Sequence, residues 1–156
     1  MHSPTTAGKL GIALAAALPL AWSPAPAHAA ALKQFLANVN AGQETAANGS
    51  NAFGVAHCTY DETDSTSANY KKLCCNISYS GLSSAETVAH IHGPAVPGVA
   101  GGLLFTLPAG SPKNNACVGP LDSTQKSELL HNLLYMNIHT TANVGGEIRG
   151  QILRIK

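Results

Sequence analysis

Leu73-Cys74-Cys75-Asn76-Ile77-Ser78-Tyr79 is the stretch that decides the fold class. Leu73, Cys75, Ile77 and Tyr79 fall on one side of an extended chain, and Cys74, Asn76 and Ser78 on the other. A period of two is the mark of a half-buried antiparallel strand. Ser80-Gly81 turns the chain after it. Upstream, residues 53–60 read as a second apolar strand, joined to the first by the polar connection 61–69. Residues 41–50 are a loop rich in Ala, Asn and Gly, and residues 32–39 are an earlier strand. Downstream, residues 87–92 form a strand closed by Gly93-Pro94. A Gly-rich loop (97–102) and a short apolar strand (103–107) follow. Residues 108–119, with Cys117, read as irregular. Residues 122–132 are the one helix candidate, capped by Ser123 or Thr124, with Leu129, Leu130 and Leu133 on its apolar side. Residues 134–140 are a strand, 143–146 a turn, and 147–155 the last strand. Short strands separated by turn signals predict an all-β fold, an antiparallel Greek-key-like β-sandwich or barrel with one short helix.

Residues 1–29 have the makings of a signal peptide. Lys9 gives a weakly positive start, residues 10–20 are apolar, and Ala27-His28-Ala29 is a small-x-small cleavage pattern. The apolar run falls short of the roughly 20 residues a spanning helix needs. Cleavage leaves residues 30–156 as one domain, secreted or periplasmic, with no membrane span. Lys9 is the only one of nine Lys and Arg residues lost with the leader, against none of the eight acidic ones. The mature chain is then formally neutral. Nothing in this charge balance points to nucleic acids or anionic membranes as partners, because both need a basic surface.

Four cysteines in an exported chain predict two disulfides. Adjacent Cys74 and Cys75 do not pair with each other, so Cys58 and Cys117 are their partners, in either order. No CxxC spacing supports a thiolate metal site. Asn48-Gly49-Ser50 and Asn76-Ile77-Ser78 are glycosylation sequons, which matter only in a eukaryotic secretory pathway.

Seven histidines are present, of which His2 and His28 belong to the leader. His90 and His92 stand at i and i+2 on one strand and therefore project from the same face. Ile91 between them points to the core. On another strand Ile138 and Met136 alternate with Asn137 and His139, so His139 faces outward as well. Three imidazoles opening onto one patch make an N₃ metal site, a donor set suited to copper or zinc. The competing reading is of surface histidines that only hydrogen-bond neighbouring carbonyls. His57, on the strand 53–60, is a candidate fourth ligand whose facing the pattern leaves open. His131 lies near the end of the helix, where it complements the helix dipole. Glu147, Arg149 and Gln151 share one face of the last strand. Arg149 is a candidate to guide an anion toward a nearby metal, with an ion pair to Glu147 or another carboxylate as the alternative. No GxSxG or HExxH occurs, which argues against hydrolysis.

Several stretches together resemble the CHRD domain, the module named after chordin. They are Gly81-Leu82-Ser83, the run from Ala89 through His90, Ile91, His92, Gly93 and Pro94 to Ala95, the run Leu134-Tyr135-Met136-Asn137-Ile138-His139-Thr140, and Gly145-Gly146-Glu147-Ile148-Arg149-Gly150-Gln151-Ile152. Ala41-Gly42-Gln43-Glu44 also fits, but the prolines usual after it are replaced by Thr45-Ala46-Ala47. The cysteines are particular to this branch. The resemblance implies an exported domain, and in chordin itself an extracellular binding protein. A looser similarity to copper–zinc superoxide dismutase lies in the order His90, His92, His139, Arg149. No histidine lies between Gly93 and Leu130, so the bridging and zinc ligands of that family have no counterpart. That similarity implies at most a copper-only, superoxide dismutase-like oxidoreductase, with Arg149 attracting a small anionic substrate. The alternative is a noncatalytic extracellular or periplasmic module whose sheet face or Gly-rich loop contacts another protein.

Overall fold

The computed structural model describes residues 32–155. The predicted signal peptide lies outside them. Nine strands and one α-helix follow in chain order: β1 (Lys33–Asn40), β2 (Phe53–Tyr60), β3 (Leu73–Ser80), β4 (Glu86–Gly93), β5 (Gly102–Leu107), β6 (Lys113–Val118), α1 (Ser123–Leu130), β7 (Tyr135–Thr140), β8 (Ile148–Gln151) and β9 (Leu153–Arg154). They form one sheet in the order β5-β4-β7-β8-β1-β2-β3-β6, with β9 beside β1. Every strand pairing is antiparallel. β5 and β6, the two ends of that order, lie against each other, so the sheet is a nearly closed barrel rather than two separate layers.

The interior follows from the period of two. Phe35, Ala37 and Val39 of β1, Ala56, Cys58 and Tyr60 of β2, and Leu73, Cys75 and Ile77 of β3 all point inward and are buried. Ala89 and Ile91 of β4, Met136 and Ile138 of β7, and Ile148 of β8 complete the wall, and Leu129 of α1 packs into the same cluster. Gly150 faces inward where β8 crosses β1. A Cβ there would stand 2.5 Å from the Asn38 carbonyl oxygen, so no other residue lets the two strands approach this closely.

Both disulfides are cross-strand. Cys58–Cys75 joins β2 to β3 on the inner face, and Cys74–Cys117 joins β3 to β6 on the outer face. Consecutive residues of β3 thus bond in opposite directions, because successive Cβ atoms alternate between faces.

Three details differ from the sequence reading. Residues 113–118, expected to be irregular, are β6, recruited by pairing with β3 in spite of Asn114 and Asn115. The last strand is broken at Ile152 into β8 and β9, which serve the same neighbour at different points. The cap of α1 is Asp122, neither Ser123 nor Thr124. Its carboxylate accepts from the Gln125 N–H while the Gln125 side chain accepts from the Asp122 N–H, a capping box.

Candidate metal centre

The strand registers build the site. His92 stands opposite Tyr135, and His90 opposite Asn137, across the β4–β7 pair. On the other side of β7, Tyr135 pairs with Gln151 and Asn137 with Arg149 of β8. All these side chains point away from the barrel interior. His90, His92 and His139 present nitrogens that all lie within 4.8 Å of one another. The convergence expected from the i, i+2 spacing on β4 and the alternation on β7 is therefore met.

Backbone carbonyls fix the rings. A carbonyl can only accept, so the contact of 3.3 Å between His92 Nδ1 and the Gly101 oxygen assigns the proton to Nδ1. The same logic assigns the proton of His139 to Nδ1, 3.0 Å from the Val144 oxygen. Both rings, when neutral, then carry a lone pair on Nε2. His139 Nε2 lies 3.1 Å from His90 Nδ1. His92 Nε2 is buried and meets no partner. A carbonyl that holds one nitrogen of an imidazole so that the other is free is the usual support of a metal-binding histidine. Burial, followed by the charge of His139, holds the His90 pKa below its ordinary value. Burial also lowers that of His92, outweighing its bond to Gly101. Both effects favour the neutral rings that ligation requires.

Around the trio the outer face is covered, not bare. Ala95 N–H donates to the Leu133 carbonyl, and Gly101 N–H donates to Tyr135 Oη, so the loop after β4 folds back over β7. Tyr135, Asn137, Arg149 and Gln151 are buried beneath this loop and the turn at residues 41–44. The Tyr135 ring stacks on His92 with centroids 5.1 Å apart and planes 9° from parallel. The Arg149 guanidinium carbon sits 3.5 Å from the centroid of the same Tyr135 ring. His92, Tyr135 and Arg149 therefore form one column, with Tyr135 in the middle. Sequence reading passed over Tyr135. The available signal was its position two alternations before His139, on the same face of β7.

The other two candidate residues lie apart from the trio. His57 is exposed on β2, between Leu36 of β1 and Asn76 of β3, and is not among the converging imidazoles. Three steps of strand order separate β2 from β7, or about 14 Å at the usual strand spacing. Arg149 lies on the expected face but is 2% exposed, with the Tyr135 ring between it and His92. Its carboxylate neighbour is Glu44, on which its positive charge acts, and not Glu147.

Glu147 is fully buried without a cation. It accepts hydrogen bonds from Ser50 Oγ, Ser83 N and Oγ, Thr140 Oγ1 and Asn143 Nδ2. Burial pushes its pKa up, but these donors outweigh burial and bring it down to about 2. Gly146 precedes it at φ +125°, where a Cβ would stand 2.5 Å from the Asn137 side chain. His131 caps the end of α1 by donating from Nδ1 to the Ser127 carbonyl.

The sequence matches the CHRD domain over residues 35–152. The chain belongs to the CHRD domain family. The matched span contains all three converging histidines, both disulfides and the buried Glu147, so the CHRD domain and the described barrel are the same unit. No curated protein and no solved structure matches the chain. The likeness to copper–zinc superoxide dismutase thus rests on the order of residues alone. Membership of the CHRD family and two disulfides are consistent with an extracellular or periplasmic module. Among the described residues no helix is long and apolar enough to cross a membrane.

Proposed function

We propose that this CHRD domain is exported by its N-terminal signal peptide to the periplasm or the medium and binds one copper ion through His90, His92 and His139. The observation that carries the reading is the preorganisation of the trio. Two of the three rings are held by carbonyls with Nε2 lone pairs turned away from those carbonyls, and one of these atoms is buried with nothing to bond. A buried polar atom without a partner costs about 1–3 kcal/mol, so a fold that keeps one needs a reason. Two nitrogens ligating one ion at about 2 Å each stand roughly 3 Å apart. His90 Nδ1 and His139 Nε2 are already at 3.1 Å. In the metal-free chain His90 donates a proton across that gap. Moving the proton to the other ring nitrogen leaves two lone pairs facing one point.

Copper is favoured over zinc because affinity for nitrogen sites peaks at Cu²⁺ in the divalent series. Bound copper supplies one-electron redox chemistry. In the superoxide dismutase-like extension of this reading, Arg149 acts on a small anion by its field across the Tyr135 ring rather than by contact. Titration of the purified chain with Cu²⁺ against a competing chelator tests the binding. One tight equivalent is expected, weakened about 100-fold or more by His139→Ala and unchanged by His57→Ala. Equal affinity in the wild type and a His90→Ala/His92→Ala/His139→Ala variant would end the copper reading.

A second reading, a noncatalytic interaction module, is favoured by one observation. Val96 and Val99 of the loop after β4 and Leu103 at the start of β5 stand more than half exposed. Under it, a partner captured from the native compartment stays bound to the His90→Ala/His92→Ala variant, and the isolated protein carries no metal.

A further inference from the structure

Behind the Tyr135 ring, on the side away from the histidines, lies a second polar site. Arg149, Glu44 and Gln151 line one cavity of about 330 Å³, whose rim is formed by Gly42, Pro97 and Gly98. Rim residues this small leave the space unfilled. The volume falls at the lower end of the range of small-molecule pockets, about 300–1,000 Å³.

The polar groups in it are not matched to one another. Arg149 is buried, yet its guanidinium makes one long hydrogen bond, 3.4 Å to the Val96 carbonyl. Its fork offers five N–H donors. Glu44 lines the same cavity, but no ion pair joins it to Arg149 among the described residues. Glu44 Oε2 accepts from Asn137 Nδ2, while Oε1 is buried with no partner. Gln151 is 5% exposed. Its Nε2 donates to the carbonyls of Ala95 and Asn132, which fixes the amide and leaves Oε1 buried and unpartnered. Burial, opposed by the Asn137 bond and the Arg149 charge, raises the Glu44 pKa to about 7, as befits a carboxylate whose second oxygen lacks a donor.

A cation and a carboxylate therefore flank one cavity without closing on each other, and two of its lining residues each keep a buried acceptor oxygen without a donor. Buried charges and dipoles left in this state are costly unless a ligand completes them. The complement is a molecule with a planar anion at one end and a multiple donor at the other. A carboxylate matches the fork of a guanidinium in bidentate fashion. An ammonium brings three N–H donors, enough for Glu44 Oε1 and Gln151 Oε1 together. We propose that this cavity binds a small zwitterion of the α-amino acid type, its carboxylate on Arg149 and its ammonium on Glu44 and Gln151. The site shares no side chain with the histidine trio, so its occupancy can be tested on the copper-free chain.

The test is an NMR titration of the ¹⁵N-labelled chain with glycine, alanine, acetate and methylamine in turn. Saturable shifts of the Gly42 and Gly98 amides and of the Arg149 side chain are expected with the two amino acids. Acetate and methylamine, each lacking one charge, should bind at least about tenfold more weakly, a difference of roughly 1.4 kcal/mol. Glu44→Gln removes a charge from a half-buried side chain and should weaken glycine at least about tenfold while leaving the amide spectrum folded. Arg149→Lys keeps the charge but loses the fork and should weaken it as well. Absence of saturable shifts with either amino acid overturns the proposal. So does acetate or methylamine binding as tightly as glycine, because a simple anion or amine site then suffices. Unchanged glycine affinity in folded Glu44→Gln overturns it too.

Discussion

Glu147 shows how far a single carboxylate can be tied into a fold by neutral donors. Its depressed pKa has a definite consequence for stability. The folded chain binds that proton less readily than the unfolded chain does, so the stabilisation is complete above the ordinary value of 4.5 and is lost as pH falls toward about 2. Acid unfolding followed by circular dichroism should show this limb. Glu147→Gln should flatten the limb and lower stability at neutral pH, and a variant with an unaltered acid limb would contradict the assignment. The same residue marks a limit of sequence reading. Glu147 and Arg149 share a strand face, and pattern alone suggests that opposite charges at i and i+2 pair. The donors that take Glu147 instead come from Ser50, Ser83, Thr140 and Asn143, the first two of them distant in sequence. The histidines were legible because β geometry fixes the facing of His90 and His92 from their spacing, and of His139 from its apolar neighbours. The facing of His57 was not legible, because Phe53 and Val55, apolar yet exposed, stand on its side of β2.

Among the elements, β6 is the one that pattern did not reveal. Its polar residues have little strand propensity, and Asn115 has a positive φ of 49°. It is held in place from outside itself. Cys117 bonds Cys74, and Lys113 reaches a buried cluster in which its Nζ donates to Glu86 Oε1 at 2.7 Å and to Tyr79 Oη at 2.9 Å. Tyr79 in turn donates to Glu86. Three strands, β3, β4 and β6, are thereby clasped near the seam where the barrel does not close. Lys113→Met leaves Glu86 buried without its cation and should cost about 3 kcal/mol or more, read as a shift in the denaturant midpoint. A change below about 0.5 kcal/mol, typical of surface substitutions, would show the clasp to be ornamental. The disulfide pairing, which sequence left open in two arrangements, is decided by register: Cys58 faces Cys75 and Cys74 faces Cys117. Non-reducing peptide mapping should recover those two links. Loop closures of 17 and 43 residues correspond to about 3 and about 4 kcal/mol of denatured-state entropy. Cys74→Ser/Cys117→Ser should therefore be the more damaging of the two double replacements.

At the level of the whole molecule, one barrel has two surfaces with different tasks. The inside is apolar, and Leu129 of α1 packs into it. The outside, over β4, β7 and β8, carries a covered polar layer in which the histidine trio, the Tyr135–Arg149 stack and the Glu44 cavity succeed one another. The all-β class and the outward direction of this layer were readable from alternation. Its coverage was not, because that depends on two loops, residues 41–50 and 94–101, whose own sequences carry no periodic signal. A ligand that binds only the folded state stabilises it by about 2.7 kcal/mol at a hundredfold excess over its dissociation constant. Copper should accordingly raise the melting temperature of the wild type and leave that of the three-histidine variant unmoved.

The most direct test of the metal centre is electron paramagnetic resonance of the Cu²⁺-loaded chain with ¹⁵N-labelled histidine. The trio predicts a single copper species coupled to three imidazole nitrogens, reduced to two by His139→Ala. A spectrum that shows fewer than three coupled nitrogens, or that is unchanged by His139→Ala, would contradict it.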